Sequence, residues 1–189
     1  MLASPDTVDF WGRYIAGRDN PASEEVRQRR IVLRNIALFK RFGYTGPVIA
    51  EAHVIAEKIK RVDPGITWGR FQEIIKILKD RKILQGTYML YITPKLLHIK
   101  LWTEWWDTYG EGFSLDEFFQ DLPDTFQNLR EWFYEMFMYA AESEVANAVV
   151  VKLLGANGPF QNDDYLQTQL GARFFFRGGK ECGGAYMIE

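Results

Sequence analysis

Cysteine and histidine are scarce in this chain of 189 residues, which contains one cysteine, Cys182, and two histidines. A single cysteine cannot form an intrachain disulfide, and this usage is typical of a reducing compartment such as the cytoplasm. One thiol and two imidazoles also cannot supply the set of ligands that a structural zinc site needs. We therefore expect a cytoplasmic protein without a metal site.

Long apolar runs are missing as well. The purely apolar stretches, such as Ala148–Val151, are only a few residues long, whereas a membrane-spanning helix needs about 20 apolar residues. The opening MLASPDTVDFWGRY lacks the basic start and the apolar run of a signal peptide. No asparagine begins an Asn-x-Ser/Thr glycosylation sequon. These absences predict a soluble protein that has no membrane partner.

No catalytic motif is recognisable. The nearest match to the phosphate-binding loop is Gly178-Gly179-Lys180, where Phe174 occupies the position of the first glycine and Glu181 that of the Ser/Thr. The lone cysteine lies in a glycine-rich stretch, which argues against a rigid Cys-His nucleophilic pair. We predict that the chain has no catalytic residues, is not an enzyme and needs no cofactor.

Charge is distributed unevenly, although the formal net charge is only −2. Residues 24–100 contain 16 Lys and Arg against 7 Asp and Glu, whereas residues 101–189 contain 5 against 15. A basic segment of this kind can face nucleic acid, or it can face an acidic neighbour in the same molecule or assembly. The sequence leaves both alternatives open.

Three helices are predicted between residues 23 and 80. Ser23 is a suitable N-cap for a helix that we expect to extend to about Arg41, and a second helix follows Pro47, over residues 48–60. Thr67 caps the third helix, whose apolar residues recur at helical spacing: Trp68, Phe71, Ile74, Ile75 and Leu78. Its outward face consists of Arg70, Gln72, Glu73, Lys76, Lys79 and Asp80.

A β-hairpin follows the third helix. Residues 83–92 (ILQGTYMLYI) contain a turn at Gln85–Gly86 and a second arm rich in β-branched and aromatic residues, and Pro94 begins another helix. Three helices and a hairpin form the winged-helix order. We therefore predict a mainly α fold with one small β-hairpin, comprising an N-terminal helix or linker (1–23), a winged-helix module (24–110), a helical bundle (111–176) and a disordered tail (177–189).

The helical bundle is unusually aromatic, and the helix predicted from Pro123 to Ala141 carries two apolar rows. One row contains Phe126, Phe133 and Phe137, and the neighbouring row contains Trp132, Met136 and Tyr139. One helix buries one such row in its own core, so the second row needs another surface. The pattern predicts a homodimer or a larger oligomer.

The third helix is the candidate binding element. In a DNA-binding winged helix, Arg70, Gln72 and Lys76 would reach base edges, with Lys79 on the same outward face. Against this, the hairpin has no Lys or Arg between Gln85 and Ile92, and Glu73 would repel phosphate. We favour a protein-contacting helix and keep DNA binding as the alternative.

Three stretches resemble a known family: VRQRRIVLRNIALFKRFGY, ITWGRFQEIIKILKDRKILQGTYMLYITPKLLHIKLW and LREWFYEMFMYAAES. Together they are similar to the region that follows the ATPase core in prokaryotic STAND-type NTPases, the signal-transducing P-loop ATPases. The resemblance covers about residues 8–175, and the ATPase core itself is absent from the chain. It implies a regulatory module in which the winged helix packs on an ATPase core, and it makes such a core the expected protein partner.

The same resemblance implies a nucleotide-sensing position where the hairpin meets the next helix. Family members often place a histidine there, whereas this chain reads Ile92-Thr93-Pro94-Lys95. The histidine is therefore absent at that junction. Lys95, or His98 one turn further on, would be the residue in its place.

Overall fold

The structure, a computed structural model, describes residues 5–120, 127–164 and 166. This part of the chain contains eight α-helices and three short strands. In chain order they are α1 (Pro5–Ala16), α2 (Glu24–Ile36), β1 (Phe42–Gly43), α3 (Ile49–Val62), α4 (Trp68–Asp80), β2 (Leu84–Gln85), β3 (Met89–Ile92), α5 (Lys95–Tyr109), α6 (Leu115–Gln120), α7 (Gln127–Ala140) and α8 (Glu144–Leu154). The protein is mainly helical with a small antiparallel sheet.

Helix α1 is anchored at its carboxyl end by two arginines from elsewhere in the fold. The Arg81 guanidinium donates to the carbonyl oxygens of Tyr14 and Ile15, and Arg29 donates to that of Ala16 at 3.4 Å. Cations are favourable at this end of a helix because its last carbonyl groups lack intrahelical partners. Ile15 and Ala16 are buried, so the predicted N-terminal helix is part of the core.

Helix α2 begins as predicted and ends earlier than predicted. Ser23 accepts a hydrogen bond from the amide of Val26, but the helix stops at Ile36 instead of continuing to about Arg41. Leu38 and Phe39 are buried in a turn rather than on a helical face. The apolar spacing was misleading because the following residues, Phe42 and Gly43, are extended and belong to the sheet.

The sheet has three strands in the order β1-β3-β2, which corrects the prediction of a hairpin alone. The expected hairpin is present, with Leu84 opposite Ile92 and Gln85 opposite Tyr91. Strand β1 adds to its far side, where Phe42 is opposite Leu90. A two-residue strand leaves almost no periodic pattern, and this explains why the sequence did not reveal it.

Helices α3 and α4 follow the prediction closely. Thr67 accepts a hydrogen bond from the amide of Arg70, which satisfies one of the free donors at the start of α4. The inward row of α4 is fully buried at Phe71, Ile74, Ile75 and Leu78, whereas Trp68 is only half-buried.

Helix α5 is the central element of the core. It packs against α2 and β3, which precede it in the chain, and against α7 and α8, which follow it. Its residues Trp102, Trp105 and Trp106 are buried and belong to one hydrophobic cluster that extends from Ile15 to Leu166. Most of the aromatic content in the described residues therefore fills the core, as aromatic side chains usually do.

The apolar row that was expected to remain uncovered on α7 is covered within the chain. Met136 is fully buried, the Arg41 guanidinium lies 4.3 Å from the centre of the Trp132 ring, and Lys95 lies 4.3 Å from that of Tyr139. The premise that this row needs a second copy of the chain is therefore wrong. Self-association itself stays a prediction without this support.

Several predictions concern residues outside the described part of the chain. They are the start of the helix at Pro123, the apolar position Phe126 and the disordered tail at 177–189. Within the described residues, no helix has the length and apolar character needed to cross a bilayer.

Candidate interaction surface

The outward face of α4 presents fewer free side chains than the sequence suggested. Gln72 and Lys76 are exposed, and Lys76 forms no ion pair with any residue that the structure describes. Gly69 lies one turn before them, and a Cβ atom built on it would meet no atom within 4 Å. This stretch of α4 is open to a partner.

Arg70 is engaged within the chain. Its Nε donates to Oε1 of Gln28 at 2.7 Å, and its Nη1 pairs with Oε2 of Glu73 at 3.0 Å. Its side chain is 27% exposed. Contact with a base edge or a partner carboxylate would require Arg70 to give up at least part of this arrangement, so it is not the free guanidinium that we predicted.

Lys79 also makes a contact within the chain. It is half-buried, and its Nζ lies 5.9 Å from the centre of the Tyr44 ring, within the range of a cation–π contact. Of the four predicted contact residues, only Gln72 and Lys76 are free in the described part of the chain to bind a partner without rearrangement.

A ring pair that the sequence did not predict lies beside this face. His53 of α3 stacks on Trp68 of α4, with ring centres 3.8 Å apart and planes 24° from parallel. His53 is exposed, and Trp68 in turn stacks on the buried Phe71 at 5.6 Å. The pair is therefore a rigid aromatic surface supported from below by the core.

Further apolar side chains continue from this pair toward the hairpin. Ile49 precedes His53 by one helical turn and is 39% exposed. Tyr88, in the turn between β2 and β3, is 61% exposed, and its ring packs on Gly46, 3.1 Å from where a Cβ atom would lie. We call Ile49, His53, Trp68 and Tyr88 the aromatic strip. Spacing along α3 could group Ile49 with His53, but the contact of His53 with Trp68 depends on how α3 crosses α4.

Neither residue at the expected nucleotide-sensing position is free. Lys95 forms an ion pair with Glu142 and lies over the Tyr139 ring. His98 is 2% exposed, and its Nε2 lies 3.2 Å from the carbonyl oxygen of Ala37, to which it donates in the tautomer protonated at Nε2. Burial lowers the pKa of His98 to about 4. Its ring is therefore neutral at physiological pH and serves the core rather than a surface ligand.

The basic segment faces the acidic half of the same chain. Four of its cations pair with carboxylates beyond residue 100: Arg34 with Glu104, Lys100 with Glu104, Lys40 with Glu135, and Lys95 with Glu142. Lys58 also donates to the carbonyl of Phe118 at 2.9 Å. Between the two alternatives that the charge pattern left open, the contacts favour the intramolecular one.

The aromatic strip and the adjoining face of α4 offer groups that can contact a partner. These groups are the rings of the strip, the exposed amide of Gln72 and the exposed amine of Lys76. Over the described residues, no group of three or more His, Cys, Asp or Glu side chains is arranged to hold a metal ion.

Comparisons with known proteins add no assignment. No family model matches the chain, and neither the curated proteins nor the solved structures contain a match.

Proposed function

We propose that this chain is a cytoplasmic, non-enzymatic regulatory module, a winged helix followed by a helical bundle, which binds a protein partner through the aromatic strip and the adjoining face of α4. The observation that carries the proposal is the His53–Trp68 stack, in which an exposed ring and a half-buried ring have centres 3.8 Å apart and Trp68 packs on the buried Phe71. Rigid aromatic side chains of this kind dominate the energetics of protein interfaces because they bury much area at low entropic cost.

The order of the elements supports the winged-helix part of the proposal. Helices α2, α3 and α4 are followed by the β2–β3 hairpin, and β1, between α2 and α3, pairs with β3. In such a module the third helix, here α4, is the usual recognition element. The aromatic strip takes residues from α3, from α4 and from the hairpin turn, where Tyr88 is 61% exposed.

An ATPase core is the partner that the family resemblance supports. The proposal is that the module packs on such a core and regulates its nucleotide switch. Lys95 and His98 add no support for direct contact with nucleotide, because the first is paired and the second is buried. Regulation would act through protein contact.

DNA binding is the second candidate, and one observation favours it. Lys76 and Gln72 are exposed side by side on α4, at positions from which they could reach a groove. Other basic residues argue against DNA binding, because Arg34, Lys40 and Lys95 are already paired with carboxylates. A protein with few free cations has a weak, shallow salt dependence of DNA binding.

Photocrosslinking from α4 tests the proposal. A photoreactive phenylalanine replaces Gln72 in one variant and Asp107, an exposed residue near the end of α5, in a control variant. We expect the Gln72 probe to form adducts with one protein that carries a nucleotide-binding P-loop, and the control probe to form none with it. Adding Gly69→Arg, at a position where a Cβ atom would meet no atom within 4 Å, should abolish the adduct.

Duplex binding by fluorescence anisotropy, at about 150 mM salt, distinguishes the two candidates. We expect weak binding without sequence preference, equal in Lys76→Ala and in a control that removes an exposed lysine of α8, Lys152→Ala. Sequence-selective binding that is lost only in Lys76→Ala would overturn the proposal in favour of DNA recognition.

A further inference from the structure

A groove of about 280 Å³ lies along α2, away from the aromatic strip. It is lined by loop residues 21–23 and by Arg27, Arg30, Ile31 and Arg34 of α2. The lining thus contains three guanidinium groups and no carboxylate. Arg30 follows Arg27 by three residues and precedes Arg34 by four, so all three side chains project from one side of the helix.

Two of the three guanidinium groups are hydrogen-bonded to carboxylates. Arg27 donates from Nε and Nη2 to Glu24, and from Nη2 to Asp63 at 2.5 Å. Arg34 donates from Nε to Glu104 at 3.0 Å, and the second oxygen of Glu104 pairs with Lys100 at 2.8 Å. A guanidinium fixed on one edge is preorganised to donate from its other N–H groups.

Arg30 differs from its two neighbours because it pairs with no carboxylate among the residues that the structure describes. Its Nη2 lies beside α1 at Gly12, where a Cβ atom would be 3.1 Å away. A glycine inside a helix is less favourable than an alanine, and here it leaves room for the guanidinium. Among the described residues, Arg30 is therefore the guanidinium of the groove that has no carboxylate partner.

We propose that this arginine groove binds a phosphoryl group of a small, non-nucleotide ligand. A carboxylate is planar and is satisfied by one guanidinium fork, whereas a phosphoryl group has three peripheral oxygens and up to two charges. Three guanidinium groups around one groove match the second pattern. The lining contains no aromatic ring on which a base could stack, so the ligand class is a phosphate-bearing anion rather than a nucleotide.

Pyrophosphate is the probe for the test, with succinate as a dicarboxylate at the same ionic strength. Binding is followed by NMR through the arginine Nε–Hε signals, in the wild type, in Arg30→Gln and in Lys152→Ala, which removes an equal charge from an exposed position of α8. We expect saturable pyrophosphate binding in the millimolar range or tighter, weakened about fivefold or more in Arg30→Gln. Lys152→Ala should bind like the wild type, and succinate should bind more weakly.

Each other result overturns the assignment. Chemical-shift changes that do not saturate would show a general response to charge instead of a site. The same conclusion would follow if pyrophosphate affinity were weakened equally in Arg30→Gln and Lys152→Ala. Succinate binding as tight as pyrophosphate would exclude phosphoryl recognition. Circular dichroism of each variant confirms that the comparison is between folded proteins, and Arg30→Lys serves as a second variant that keeps the charge but removes the fork. We expect Arg30→Lys to bind more weakly than the wild type, and unchanged affinity would contradict the arginine geometry.

Discussion

Lys40 and Glu135 are 95 residues apart in the sequence, and their side chains form an ion pair with a distance of 2.5 Å between Nζ and Oε2. The same turn is held twice more by α7: the amide of Lys40 donates to the carbonyl of Trp132 at 2.9 Å, and the Arg41 guanidinium lies on the Trp132 ring. Strand β1 begins at the next residue, Phe42. The C-terminal half therefore fixes the start of the sheet that supports the aromatic strip.

The Lys40–Glu135 pair is expected to contribute a small, measurable coupling energy. Both side chains are 32% exposed, so solvent screens the pair, and we expect about 0.5–1 kcal/mol from a double-mutant cycle of Lys40→Ala and Glu135→Ala in urea. The coupling should decrease as salt rises. The exposed pair Lys60 and Glu57, at 3.8 Å, is the matched control and should couple less. Equal coupling in both pairs would mean that α7 does not hold this turn through the ion pair.

His98 makes the stability of the fold depend on pH. Its pKa falls from 6.5 to about 4 because burial disfavours the charged ring, so the proton binds more tightly to the unfolded chain. The stabilising contribution is complete above pH 6.5 and is lost as the pH falls from 6.5 to 4. The difference between these two pKa values corresponds to about 3 kcal/mol in the free energy of unfolding. Chemical denaturation across this range measures it.

A substitution of His98 tests this pH dependence. His98→Gln keeps an N–H donor near the Ala37 carbonyl but does not titrate, so its unfolding free energy should fall less steeply between pH 6.5 and 4 than that of the wild type. A wild-type slope in His98→Gln would show that His98 is not the group responsible.

These residues also show which parts of the structure the sequence could predict. The caps at Ser23 and Thr67 and the apolar row of α4 depend on contacts within a few residues, and they were predicted correctly. Strand β1, the His53–Trp68 stack and the burial of His98 depend on residues brought together by the fold, such as Leu90, Trp68 and Ala37. Spacing along one element carries no information about these partners.

Glu51 is a buried carboxylate that holds β1 in place. It is 4% exposed, and its Oε2 accepts a hydrogen bond from the amide of Gly43 at 2.6 Å. Burial raises its pKa above the usual 4.5, although this hydrogen bond opposes the shift. The folded state therefore binds the proton more tightly than the unfolded chain does, and the ionised form at neutral pH costs stability.

Two substitutions of Glu51 separate its charge from its hydrogen bond. Glu51→Gln keeps an acceptor for Gly43 and removes the buried charge, so it should be at least as stable as the wild type at pH 7. Any advantage should shrink as the pH falls through the raised pKa of Glu51. Glu51→Ala leaves the buried amide of Gly43 without this acceptor and should cost about 1–3 kcal/mol in unfolding free energy. Equal stability of the two variants would contradict this role.

Gly43 and Gly69 should respond in opposite ways to the same substitution. A Cβ atom on Gly43 would lie 2.5 Å from both the Cβ and the carbonyl oxygen of Val48. Gly43→Ala must therefore displace backbone, and we expect a loss of about 1–3 kcal/mol. Gly69 lies inside α4 with open space around it, so Gly69→Ala should gain about 0.5–1 kcal/mol through helix propensity. Thermal denaturation compares the two variants, and similar changes in Tm would contradict the close packing of Val48 on Gly43.

The aromatic rings of α7 are expected to play no part in any self-association of the chain. Met136 is fully buried, Trp132 is covered by Arg41, and Tyr139 is covered by Lys95. Cation–π contacts at partly exposed sites are worth about 0.5–1 kcal/mol, so Tyr139→Ala should cost the monomer a little stability but leave its sedimentation unchanged. Tyr88→Ala in the aromatic strip is the comparison, because Tyr88 is 61% exposed and most of its surface is open to a partner. Sedimentation equilibrium at micromolar concentrations measures both variants beside the wild type. If Tyr139→Ala alone converts an oligomer into a monomer, the ring must leave Lys95 to form that interface, and the contact between α7 and the start of α5 would have to change in the oligomer.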